Sequence, residues 1–146
     1  MRKHGVVLLA VAFALVGATP AGAAGKKYEG AFASGGTNSF TLKKTKNGKK
    51  VFNYEWVGFS LSCEGGPRTS SNGLSFSVRV EDREFEAIAS PSTPQKAKLT
   101  IRGKFVGRSS AEGTMRIEGS RVPVDGGGRD RCDSGKVAWT ADRIPN

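Results

Sequence analysis

Val51-Phe52-Asn53-Tyr54-Glu55-Trp56-Val57-Gly58-Phe59-Ser60-Leu61-Ser62-Cys63 is the stretch that decides the fold class. Phe52, Tyr54 and Trp56 recur at every second position, the period of a half-buried strand and not of a helix. Val57, Phe59, Leu61 and Cys63 then continue the alternation on the opposite parity. A strand that changes parity needs one extra residue, so a β-bulge or a bend is expected near Val57-Gly58.

The same two-residue period extends to both sides. Tyr28, Gly30 and Phe32 begin one strand, and Phe40 with Leu42 marks a second. Beyond Cys63, Leu74, Phe76, Val78 and Val80 alternate cleanly, Phe85 to Ala89 more weakly. Leu99, Ile101 and Phe105, then Met115 and Ile117, then Val137, Trp139 and Ala141 complete the set. Gly, Ser, Pro and Asp clusters separate these runs, and Gly65 to Gly73, Ser90 to Gln95 and Pro123 to Arg131 read as loops. About eight short strands without room for crossover helices predict an all-β domain, a single antiparallel β-sandwich or flattened β-barrel.

Two registers follow from matching apolar neighbours. A two-residue Asn47-Gly48 turn would set Leu42 beside Asn53 and Phe40 beside Glu55. A three-residue Lys46-Asn47-Gly48 loop sets Leu42 beside Phe52 and Phe40 beside Tyr54, with Gly48 left-handed; burial selects this longer loop. Placing Phe105 opposite Met115 sets Arg102 across from Glu118 but Lys104 across from Arg116. Like charges directly opposite are unfavourable, so that pair marks either an anion site or, the preferred explanation, a wrong register.

Residues 1–24 have a different character. Arg2, Lys3 and His4 precede an uncharged apolar run, Val6 to Val16, and Ala21-Gly22-Ala23 has the small-x-small form of a signal peptidase site. The run is shorter than the ~20 residues a membrane span needs. A signal peptide cleaved after Ala23 or Ala24 is therefore expected, with no membrane span left afterwards. Residues 25–146 are then one secreted or extracytoplasmic domain. Cys63 and Cys132 are the only cysteines, and an oxidising compartment favours joining them. An internal disulfide is expected, the alternatives being free thiols or bridges between chains. The sole histidine, His4, leaves with the signal. That removes Ser-His-Asp and Cys-His catalysis and imidazole-bearing zinc sites. No metal or cofactor is expected, and no catalytic motif is recognisable.

Arg2 and Lys3 also leave, so 21 basic residues face 13 acidic ones, a net charge of +8. Lys43, Lys44, Lys46, Lys49 and Lys50 lie within eight residues without an intervening acid. Such a run is most often a solvated tip whose lysines discourage edge-to-edge strand pairing. Its functional reading is a docking patch for an anionic envelope or extracellular polymer. Nucleic acid is not expected, because Phe40, Phe52 and Tyr54 are assigned to the core and leave few rings to stack on bases. Trp56 and Trp139 are in phase with apolar neighbours and are likewise assigned to the core. Asp125, Asp130 and Asp133 lack the spacing of a calcium loop.

Gly113-Thr114-Met115-Arg116, Cys132-Asp133-Ser134-Gly135 and Trp139-Thr140-Ala141, with the earlier Cys63-Glu64-Gly65, resemble a pattern in small secreted bacterial β-domains of unknown function. The resemblance spans most of the mature chain. It implies a β-fold and export, and no activity. The leading functional expectation is thus a non-catalytic secreted binding domain drawn to anionic partners. The alternatives are a carrier holding an apolar ligand inside a barrel, a glycan hydrolase using two of Glu55, Glu64, Glu81, Glu84 and Glu86, and a protease inhibitor presenting Gly65 to Gly73.

Overall fold

The computed structural model describes residues 25–90 and 97–145. The signal segment 1–24 and nearly all of the Ser90 to Gln95 segment lie outside the described residues. Ten antiparallel strands form one curled sheet: β1 (Lys26–Phe32), β2 (Ser39–Lys44), β3 (Lys50–Cys63), β4 (Gly66–Arg79), β5 (Glu84–Ala89), β6 (Lys98–Val106), β7 (Ser110–Glu118), β8 (Ser120–Pro123), β9 (Arg129–Asp133) and β10 (Val137–Arg143). The order runs β5-β6-β7-β10-β1-β2-β3. Trp56 pairs with Phe40 of β2 and Asn72 of β4, so β4 occupies the opposite edge of β3. Cys63 pairs with Gly66 and Cys132, which puts β9, and β8 beyond it, on the β2 edge where β2 has ended. The sheet is a half-barrel. Among the described residues β4 and β5 share no strand ladder and are joined by the Asp82-Arg83 turn, closed by reciprocal backbone bonds between Glu81 and Glu84 of 2.9 and 2.8 Å.

The concave face fills itself. Tyr28, Phe40, Leu42, Tyr54, Trp56, Phe59, Ile101, Phe105, Met115 and Trp139 all bury against one another. Phe40 stacks on Tyr54 at 5.4 Å and meets Trp139 edge-on at 4.8 Å. Both tryptophans are core residues, as their phase predicts. The Trp139 indole lies over the paired glycines Gly103 and Gly113. A Cβ on Gly103 would stand 2.3 Å from Phe85 Cε1, and one on Gly113 would stand 2.6 Å from Trp139 Cζ2. Only a residue without a side chain lets the ring approach the sheet so closely.

The parity switch in β3 is real. Pairing skips between Trp56 and Phe59, Gly58 takes a φ of 69°, and Val57 is turned outward. A second irregularity, at Asn53 (φ 50°), corrects the expected first hairpin. Next to the turn, Lys44 pairs with Val51 and Lys43 with Phe52; past a register shift, Leu42 faces Tyr54 and Phe40 faces Trp56. Neither expected register holds throughout. The sum rule of the rejected Asn47-Gly48 turn governs the hairpin end, and the bulge then restores apolar partners that a longer loop had been invoked to supply. Gly48 is left-handed at φ 74°.

Two further expectations are corrected and a third is borne out. Gly65 to Gly73 is not a loop: from Gly66 onward it is the first half of β4, laddered along β3. Its Ser and Thr side chains hide the strand period, yet they serve the pairing. Trp56 Nε1–H donates to Ser70 Oγ at 3.2 Å, and Gly58 N–H donates to Ser71 Oγ at 3.0 Å. Pro123 to Arg131 shrinks to a turn at 124–128, because Ser120–Pro123 and Arg129–Asp133 pair as β8 and β9. On β6 and β7 Lys104 faces Glu112 and Ile101 faces Met115, so the apparent Lys104–Arg116 pair was a register error, as preferred.

Cys63 and Cys132 are cross-strand neighbours joined by a disulfide, 69 positions apart in sequence. Closing a loop of that length stabilises a fold by about 4 kcal/mol in the chain-entropy description. Asp130 adds a polar tie at the same place, accepting from Gly65 N–H at 3.0 Å and from Arg68 Nη2 at 3.2 Å. Among the described residues no helix is long and apolar enough to cross a membrane.

Candidate anion-binding site at the basic end of the half-barrel

Antiparallel pairing gathers one set of turns at one end of the sheet. The start of β1, the β2–β3 hairpin, the end of β4 with the Asp82-Arg83 turn, the β6–β7 turn and the end of β10 all lie there. Of the five lysines singled out from the sequence, Lys46, Lys49 and Lys50 stand exposed on the hairpin and Lys43 points outward from β2. Lys44 differs. It turns to the concave side, half-buried, with Nζ 3.8 Å from the centroid of the Phe105 ring. The five therefore do not share one face.

Strand register brings in cations that the local sequence does not reveal. Lys26 lies directly opposite Lys44, Lys27 opposite Lys43, and Arg79 opposite Lys50. These are three like-charge cross-strand pairs at one end of one sheet. Each such juxtaposition is unfavourable, on the scale of roughly 0.2–1 kcal/mol that cross-strand pairs command. Two members have local relief: Lys27 reaches Glu29 at 3.2 Å and Arg79 reaches Glu81 at 3.8 Å. Lys26, Lys43, Lys44, Lys46, Lys49 and Lys50 form no ion pair among the described residues. The ammonium of Lys44 has its pKa lowered, first by desolvation and then by the positive charges of Lys26 and Arg83.

Arg83 belongs to the same place. It sits in the β4–β5 turn at φ 67°, after Asp82 at φ 50°, a pair of left-handed residues where glycine is the usual second member. Phe105 N–H donates to its carbonyl at 2.9 Å, which ties the turn to the strand carrying the ring beneath Lys44. Tyr28 packs on Phe105 at 5.3 Å; burial raises its phenol pKa, with the nearby Arg143 charge opposing. The end of the half-barrel is thus an aromatic plug of Tyr28 and Phe105 under a ring of cations.

A second concavity lies on the outer face, a groove of about 900 Å³ floored by Gly103, Gly113 and Thr114. Glu81, Glu84, Glu86 and Glu112 share it with Arg102 and Lys104. Several carboxylates do face one groove there, the minimum geometry a two-glutamate hydrolase requires. Their surroundings are those of a charge ladder. Glu86 is bonded to Arg102, Glu84 lies 3.9 Å from Lys104, and Glu112 sits across from Lys104, all on an exposed sheet surface. Glu55 and Glu64 lie outside the groove lining.

Of the other two alternatives, a carrier needs interior space. Among the described residues an apolar pocket lined by Leu74, Phe76, Val78 and Ile101 holds about 90 Å³, whereas small-molecule carriers use about 300–1,000 Å³. The segment assigned to protease inhibition is a laddered strand. Compared with protein-family models, with curated proteins and with solved structures, the chain finds no match in any of the three.

Proposed function

We propose that this chain is exported and that its mature domain is a non-catalytic module that docks on an anionic polymer of the cell envelope or its surroundings. The reading is supported above all by the three like-charge pairs, Lys26 with Lys44, Lys27 with Lys43 and Lys50 with Arg79. A solvated lysine tip explains Lys46 and Lys49. It does not explain cations stacked opposite cations on neighbouring strands, where each pairing opposes folding. A polyanion lying across that end converts the repulsion into attraction. Export is supported by the signal-like segment 1–24 and by a disulfide that an oxidising compartment sustains.

Retention on an immobilised polyanion tests the reading. Wild type is expected to bind and to elute with salt, because exposed charges are screened within ~10 Å at 0.1 M ionic strength. Changing Lys46, Lys49 and Lys50 together to Ala should move elution to clearly lower salt. Absent retention at low salt, or elution unmoved by the triple substitution, refutes it.

A further inference from the structure

We propose that Lys26, Lys44 and Arg83, brought to Phe105 by strand register and by the β4–β5 turn, form a discrete subsite for one phosphate group of the bound polymer. This rests on the docking reading and sharpens it from a diffuse patch to a defined pocket.

Three observations carry it. The first is placement. Lys26 and Lys44 are directly opposed on β1 and β2, and Lys44 Nζ is held at 3.8 Å over Phe105 instead of extending into water. A Cβ on Gly48 would stand only 3.2 Å from Lys44 Cε, so the turn glycine leaves room for this inward path. The second is the turn. Arg83 occupies the left-handed position at φ 67°, which an L side chain enters at a cost of roughly 1–2 kcal/mol. No ion pair among the described residues offsets that cost. The two-residue turn demands this conformation of whatever residue stands there, and glycine would meet it without the cost. The bond from Phe105 N–H to the Arg83 carbonyl then ties the turn to the backbone of the residue whose ring lies under Lys44. The third is charge. Lys26 faces Lys44 across the β1–β2 ladder, and the charges of Lys26 and Arg83 both act on the Lys44 ammonium.

Phosphate suits this set better than carboxylate. A guanidinium fork engages two oxygens of a phosphoryl group in its own plane, while ammonium groups act as point charges from other directions. A carboxylate also offers two charged oxygens, but it is planar, whereas a tetrahedral phosphate meets donors arriving from several sides. Hydroxyl-rich neutral glycans can accept hydrogen bonds here but bring no charge to offset the cations.

Arg83→Gly provides an unusual test, because it removes the cation while relieving the turn. The disulfide-intact protein is titrated with poly(glycerol phosphate), with polyglutamate and with inorganic phosphate, alongside Arg83→Gly, Lys44→Gln and the exposed control Lys46→Gln. The expected result is that Arg83→Gly melts at or above the wild-type temperature yet binds poly(glycerol phosphate) about tenfold or more weakly, the loss of one charge-assisted contact. Lys46→Gln should lose clearly less, and polyglutamate should bind wild type more weakly than the phosphate polymer. Inorganic phosphate competing for the polymer supports a site for the phosphoryl group itself; failure to compete at any concentration overturns a free-standing phosphate site. Equal losses for Arg83→Gly and Lys46→Gln, or equal affinity for polyglutamate, overturn the subsite and leave the docking reading intact. Binding to neither polymer overturns both.

Discussion

Replacing Tyr54 with Phe should make the protein more stable. The Tyr54 ring is fully buried, stacked on Phe40 at 5.4 Å and 5.9 Å from Trp56, and its hydroxyl has no hydrogen-bond partner among the described residues. In the unfolded chain water satisfies that oxygen, so folding forfeits a bond that nothing replaces. A buried unsatisfied polar group costs about 1–3 kcal/mol. Phe keeps the ring contacts and leaves only a small void, so the net gain should sit near the low end, about 1 kcal/mol. For a domain of this size that corresponds to a rise in Tm of roughly 3–5 °C. The pH dependence supplies an independent readout. Burial pushes the Tyr54 phenol pKa well above its ordinary value. The unfolded chain releases that proton near pH 10, whereas the folded protein keeps it. Above about pH 10 the native state therefore binds more protons, and stability falls as pH rises. Tyr54→Phe should remove this loss. Urea denaturation of both proteins at pH 7 and at a pH above 10 measures the two effects together, and comparison at equal pH cancels other titrating groups. A variant less stable than wild type by ~1 kcal/mol or more would show that the hydroxyl has a real partner and would refute the reasoning.

Two further substitutions test the packing and the cross-link. Gly103→Ala would set a Cβ 2.3 Å from Phe85 Cε1 and 2.9 Å from Trp139 Cη2. It should destabilise by about 1–3 kcal/mol and alter tryptophan fluorescence, as overpacked cores do. Unchanged stability and emission would mean the indole does not lie on the glycine pair. Changing Cys63 and Cys132 together to Ser should lower unfolding stability by about 4 kcal/mol, read by urea titration. A loss below ~1 kcal/mol would show that the β3–β9 junction holds without its covalent tie.

What the sequence revealed follows from where apolar side chains line the inner face. Leu74 to Val80 and Leu99 to Phe105 alternate because one side of each faces the core and the other faces water. The bulge at Gly58 was legible because Trp56 and Phe59 are both buried and three residues apart, which no regular strand permits. The first half of β4 was not legible. Its inner positions, Arg68 and Ser70, are only half-buried and are satisfied by polar partners, so no apolar period exists to be read. β8 and β9 were hidden for the same reason, since Arg121, Arg129 and Arg131 are solvent-facing and only Cys132 is buried core. The bulge at Asn53 escaped because Val51 and Phe52 are both apolar, and alternation alone cannot say which one faces inward. The hairpin lysines were recognised by local density. Lys26, Lys27, Arg79 and Arg83 were not, because only strand register carries residues so distant in sequence to the same end. Lys44 was grouped with its neighbours although the parity of Leu42 already placed it on the inner face.

Backbone amide chemical-shift mapping with an anionic polymer most directly tests whether the basic end is the functional surface. Shifts should concentrate at Lys26, Lys44, Gly48, Lys50, Arg83 and Phe105 and collapse as salt is added. Shifts confined to the outer groove around Glu86, Arg102 and Thr114, or the absence of any salt-sensitive change, would contradict the account.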